Sequence, residues 1–172
     1  WIYPQIFTPV HVIFLELVMG PTCSIVYENE PIEKNTMNQL PREMGKTFLS
    51  INELGISIIQ GIAITLGVLF SYQFTAQHGG SEEKTRAMVF CTLIFANILL
   101  SYANRSFYYS IIESFKNRNF LLVGISCAVL ILLFVILYCR PVASFFDVTA
   151  LSGSELTVAL AVAAASVLWF EI

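Results

Sequence analysis

Long stretches almost free of charge constrain this chain more than any other feature. The segment Phe120 to Tyr138, FLLVGISCAVLILLFVILY, carries no charged residue. A bilayer core about 30 Å thick needs roughly 20 mostly apolar helical residues to cross it, and such a run meets that length. Four further windows qualify: Ile6 to Tyr27, Leu54 to Ala76, Ala87 to Tyr102 and Leu156 to Phe170. Composition agrees, with 56% hydrophobic and 12% charged residues and a mean hydropathy of +0.73, against about 25% charge in a water-soluble domain. An all-α, polytopic membrane helix bundle with five transmembrane helices is expected.

The connectors are polar. Glu28 to Glu53 is long and mixed in charge, with Pro31 and Pro41, and His78 to Arg86 contains the turn-like Gly79-Gly80. Lys34, Arg42, Lys46, Arg105, Lys116 and Arg118 lie in the first and third connectors, and Lys84, Arg86 and Arg140 in the second and fourth. That excess places the first and third connectors in the cytoplasm. The chain then enters from the extracytoplasmic side, so at least one earlier span is expected in a longer protein. Segment Ser106 to Asn119 mixes aromatic residues with Lys116 and Arg118, as an interfacial helix would. Asn104-Arg105-Ser106 fits a glycosylation acceptor, read as a chance match on the cytoplasmic side. A net charge of −3 without a basic stripe excludes nucleic acid as a partner. Cys23, Cys91, Cys127 and Cys139 have no CxxC pairing and read as small buried hydrophobes.

Chemistry concentrates in the first span. Glu16 is the one acid deep within an apolar window, and an ionised carboxylate there needs protein groups, water or an ion around it. Gly20-Pro21 follows four residues later. Proline lacks an amide donor and crowds the carbonyl of Leu17, so a helix broken at Gly20-Pro21 is expected, with freed carbonyls beside the carboxylate. Glu16 and Gly20, with the hydroxyls of Thr22 and Ser24 in reach, make a candidate cation site. The alternative is a packing kink with a protonated Glu16 bonded to a neighbouring helix. His11 reads as an interfacial or packing histidine. Asn97, with Ser101 one turn later, offers further oxygen ligands or interhelical hydrogen bonds. Ala63, Gly67 and Ser71 repeat at four-residue spacing, which admits a closely packed helix.

The run FTPVHVIFLELVMGPTCSIVYENEP, followed by Met37 and Leu40-Pro41-Arg42, resembles the sixth transmembrane helix and following loop of P-type cation-transporting ATPases. Met88, Phe90, Leu93, Asn97 and Asn104-Arg105-Ser106 resemble the eighth helix of the same family. The resemblance, to the calcium-pump type, covers the whole chain as a carboxy-terminal membrane domain, residues 1–172, spanning the sixth to tenth helices, with residues 28–53 as a cytoplasmic connector.

The resemblance implies that Glu16 occupies the place of an ion-liganding Asn and Asn97 that of an acidic ligand. It also implies a modified site, because Gly20 stands where calcium pumps carry a liganding Asp. Calcium takes six to eight oxygens, so one calcium, or sodium or a proton, fits this set better than a two-calcium site. Glu16 is the expected metal ligand. No catalytic residue is expected in the chain itself, since the phosphorylated Asp motif is absent. ATP and Mg would be bound by cytoplasmic domains elsewhere in the longer protein. The expected function is the membrane transport module of an ATP-driven cation pump, with a non-catalytic membrane scaffold as the alternative. Membrane lipid and the remaining helices and domains of the same protein are the expected partners, and the plasma (inner) membrane of a bacterium the expected location.

Overall fold

A computed structural model describes residues 6–28, 51–103 and 120–169 of the chain. The described residues form six helices: α1 Pro9–Glu28, α2 Ile51–Gln77, α3 Glu82–Ala103, α4 Phe120–Tyr138, the short α5 Arg140–Phe145 and α6 Gly153–Leu168. Most of the connector 28–53, the segment Ser106 to Asn119 and the Asn104-Arg105-Ser106 motif lie outside the described residues.

Helix α3 is the centre of the bundle. It packs along α6 and α2, which also touch each other, while α1 and α4 lean on it from the other side. Its side chains Ala87, Met88, Phe90, Cys91 and Ile94 join Leu133, Ile136 and Leu137 of α4 and Phe146, Val148 and Leu151 beyond α5 in the main core. Ala96 of α3 meets Ala163 and Val167 of α6 in a second cluster.

Small residues set the spacing of α2. A Cβ on Gly67 would stand 3.1 Å from Ser166 Cβ and 3.4 Å from Val162 Cγ1, so α2 and α6 approach where the sequence places its small-residue stripe. One turn on, buried Ser71 accepts a hydrogen bond from the Thr92 hydroxyl of α3 at 3.0 Å.

Burial does not follow hydropathy. The most apolar span, α4, is 33% buried and α2 is 11% buried, whereas the least apolar of the three, α3, is 50% buried. Water would drive the most apolar helix inward. In lipid that preference vanishes, and packing and hydrogen bonds choose which helix goes to the centre. Ile58, Ile62, Leu66 and Phe70 of α2 and Ile131 and Phe134 of α4 are accordingly exposed.

The helices α2, α3 and α4 are each long and apolar enough to cross a bilayer. The expectation of five such spans is met for these three. Helix α6 has 16 residues, about 24 Å at 1.5 Å per residue, short of a bilayer core. The expected break at Gly20-Pro21 is not confirmed, since α1 is one helix from Pro9 to Glu28. A proline removes a single amide from the ladder, and a helix flanked by intact turns can absorb that loss without interruption. Of the three described cysteines only Cys91 is buried, and Cys127 and Cys139 are exposed. The burial expected for those two fails because Cys127 stands on an exposed face of α4, whose apolar surroundings lie outside the protein, and Cys139 caps the start of α5 at the bundle end.

The connectors before α3 and before α6 meet at one end of the bundle. Gly79, with φ of +72°, turns the chain out of α2, and the Gly80 amide donates back to the Thr75 carbonyl at 3.0 Å. Across from it, Asp147 adopts φ of +48° and closes α5. Ser152 and Glu155 then form a capping box at the start of α6. Lys84 pairs with Glu155 at 2.6 Å, and Arg86 donates to the Asp147 carbonyl at 2.9 Å. A chain that crosses back and forth must bring its second and fourth connectors to the same end, and these contacts do so.

Candidate functional site

Helix α1 has two unlike faces. Phe7, Val10, Phe14, Leu15 and Val18 pack on the main core, and the other face carries Val12, Ile13, Glu16, Leu17, Gly20 and Ser24, all exposed. Positions 12, 16, 20 and 24 recur every four residues, one stripe of a 3.6-residue helix. Glu16 and Gly20 are therefore neighbours on one face, as their spacing requires.

No hydrogen bond or ion pair reaches the Glu16 carboxylate among the described residues, and no atom outside the helix itself lies within 4 Å of a Cβ built on Gly20. The Ser24 hydroxyl donates to the Gly20 carbonyl at 3.2 Å. This bond ties a carbonyl beside Pro21 to a side chain one turn on.

Asn97 sits on α3, half-buried, and its carbonyl accepts the Ser101 hydroxyl at 2.9 Å. That contact is a turn-to-turn bond within α3. The described geometry brings Glu16 and Gly20 together on α1 and leaves Asn97 on the helix behind the opposite face. Among the described residues no cluster of three His, Cys, Asp or Glu side chains could hold a metal ion. Any cation at Glu16 would thus draw ligands from Glu16, from backbone carbonyls and from groups beyond the described set.

The structure adds one residue to those singled out by type and spacing. His11 is fully buried and sits between Phe90 of α3, at 5.0 Å between ring centres, and Phe146 after α5, at 5.5 Å. Its Nδ1 lies 2.7 Å from the Thr8 hydroxyl and accepts the Thr8 backbone N–H at 3.3 Å. The Thr8 carbonyl accepts the amide of His11 at 3.0 Å, so Thr8 is the residue that opens α1. Thr8-Pro9 is a legible signal for such a start, because threonine favours the cap and proline the first helical position. It would have placed His11 at the third helical position, where side chains fold back on the cap.

At the same end, burial pushes the Glu155 carboxyl up, but hydrogen bonds from Lys84 and from the backbone and hydroxyl of Ser152, together with the Lys84 charge, hold it below its ordinary value. A cleft of about 130 Å³ lies beside this end, lined by Ile6, Tyr72, Ala76, Gly80, Glu82, Thr85 and Arg86. It is set apart from the Glu16 stripe.

The chain's sequence matches the family model described as cation transporting ATPase, C-terminus, over residues 4–172. It is 28% identical over 175 residues to calcium-transporting ATPase 1 of Lactococcus lactis, an alignment that covers all of this chain and 19% of that protein. It is 31% identical over 106 residues to a calcium-transporting ATPase of Listeria monocytogenes, covering 62% of this chain and 12% of that protein. The chain therefore spans about a fifth of the length of the first of these relatives.

Proposed function

The chain belongs to the family of cation-transporting ATPase C-termini, and from that premise we propose that it forms the carboxy-terminal membrane transport module, the sixth to tenth transmembrane helices, of an ATP-driven cation pump. Glu16 supplies its carboxylate to the transported ion. The observation that carries this reading is the Glu16 stripe: one face of α1 is anchored in the core while the face with the acid points away from every described element. An acid held there in an apolar helix needs a counterpart outside the chain's own packing, and a cation is the simplest one.

The named relatives transport calcium, and calcium is the proposed cargo. One carboxylate supports a single calcium, with other helices of the same protein completing the shell of oxygens that calcium demands. Sodium or a proton is the substitute if the remaining ligands are neutral. ATP and Mg act in other domains of the full-length protein, and the connector 28–53 carries their motion to α1. The exposed apolar faces of α2 and α4 meet lipid or those other helices, in the plasma membrane of a bacterium.

The test is Glu16→Gln in the full-length protein, reconstituted in vesicles and assayed for calcium uptake and calcium-dependent phosphorylation. Loss of both, with the protein still folded and phosphorylated by inorganic phosphate, is the expected result. Normal uptake and phosphorylation would remove Glu16 from the ion site and leave α1 as scaffold.

A further inference from the structure

The cleft at the end of the bundle has an imbalance of charge in its wall. Arg86 lines it with a side chain only 11% exposed, whereas Asp147, the acid nearest in charge, stands 3.7 Å off and is 61% exposed. Water screens the acid far more than the guanidinium, so the wall keeps a positive field. The Arg86 guanidinium donates to the Asp147 carbonyl at 2.9 Å, which holds it in place. Its planar fork of N–H groups matches the oxygens of a phosphate. Glu82 lines the same cleft one turn earlier on α3, and its exposed carboxylate sets an acceptor for a cation beside the site for an anion.

Depth narrows the ligand. The cleft lies where α2 ends at Gln77 and α3 begins at Glu82, the level at which membrane-crossing helices leave the hydrocarbon for the headgroups. Tyr72 and Ala76 form its wall on α2, and they continue a stripe. Ile58, Ile62, Thr65, Leu69, Tyr72 and Ala76 recur at spacings of four and three, one face of a helix. Ile58, Ile62 and Leu69 are exposed, and the Thr65 hydroxyl is satisfied by the Gly61 carbonyl at 2.8 Å. From Ala76 to Ile62 the stripe runs about 21 Å at 1.5 Å per residue, deeper than half of a bilayer core about 30 Å thick. A soluble anion gains nothing from such a track, and an acyl chain does. Residues 1–5, which precede Ile6 in the chain, carry no charge and offer Arg86 no anion. We propose that the cleft is a phospholipid site selective for phosphatidylethanolamine: Arg86 takes the phosphate, Glu82 the primary ammonium, and one acyl chain lies along the α2 stripe. The site is independent of Glu16 and of the ion carried.

The test titrates purified full-length protein in detergent with phosphatidylethanolamine, phosphatidylglycerol and phosphatidylcholine of identical acyl chains, counting bound lipid by native mass spectrometry. Phosphatidylethanolamine should bind about tenfold more tightly than the other two, the worth of about one charge-assisted hydrogen bond. A quaternary ammonium cannot donate to Glu82, and phosphatidylglycerol has no cation to offer it. Glu82→Gln should bring phosphatidylethanolamine to the level of phosphatidylcholine. Ala76→Phe, which puts a ring into the cleft and keeps both charges, should lower phosphatidylethanolamine binding by about tenfold or more, and Arg86→Gln should weaken all three lipids. The first two variants alter exposed side chains, so the test stands even where Arg86→Gln fails to fold. Glycerophosphoethanolamine, the same headgroup without acyl chains, should compete about a hundredfold less well. Equal binding of the three lipids, a preference that survives Ala76→Phe or Glu82→Gln, or tighter binding of phosphatidylglycerol would overturn the proposal. Equal competition by the chain-free headgroup would also overturn it, leaving a site for a soluble phosphodiester.

Discussion

At the scale of single residues, the polar atoms show most clearly what holds the bundle together. Thr92 and Ser71 form a hydrogen bond between α3 and α2 in a buried position. Such bonds between membrane helices average about 0.6 kcal/mol, because the separated helices also find partners for their hydroxyls. Thr92→Val should therefore lower stability by about 0.6 kcal/mol and no more than about 2, read as a small shift in thermal unfolding of the full-length protein in detergent. Glu155 makes a sharper prediction. Its carboxyl is held below the ordinary value of 4.5, so its ionised form is favoured in the folded state. The associated stability is full above pH 4.5 and disappears as the pH falls through the lowered value. Limited proteolysis near residues 78–86 and 147–155 should accelerate in acid, and Glu155→Gln should remove that acid-dependent part. Because the Lys84 pair is partly exposed, salt should weaken it as well.

Elements differ in how openly the sequence declares them. The window Phe120 to Tyr138 coincides with α4, and Leu54 to Ala76 lies within α2, because a continuous apolar run has few other ways to satisfy its backbone. The window Ala87 to Tyr102 starts late, since the first turn of α3 is Glu82-Glu83-Lys84 and hydropathy does not register polar residues that reach out of the membrane. Likewise the start of α6 was written in Ser152 and Glu155, a serine followed three residues later by glutamate, and hydropathy placed it at Leu156. The break expected in α1 shows the opposite error. Local rules for Gly20-Pro21 favour an interruption, but α1 continues as one helix from Pro9 to Glu28, with Phe14, Leu15 and Val18 of its first half in the core. Helix spacing gives a test at this scale. A bulky residue at 67 must displace Ser166 and Val162, so Gly67→Leu should destabilise the bundle by about 1 to 3 kcal/mol, whereas Gly67→Ala needs shifts of only a few tenths of an ångström. Thermal unfolding of the two variants side by side tests the contrast.

For the molecule as a whole, the sequence alone determined the medium, the helical class and the family. Charge-free runs of bilayer length leave a chain no better way to bury its amides than as helices in lipid, and the motif from Thr8 to Pro31 marks the pump family. It also singled out Glu16 and Gly20, whose shared face follows from a four-residue spacing that any helix must respect. What sequence could not settle was which helix stands at the centre. Hydropathy points to α4, yet lipid is as apolar as a leucine side chain, so the apolar residues carry no instruction about inside and outside, and α3 wins on close packing and hydrogen bonds. Only the tertiary structure decided that Asn97 is half-buried on α3 and that His11 sits between Phe90 and Phe146. Those placements depend on partners 79 to 135 residues away along the chain, and contacts at such separations are set by how whole helices pack.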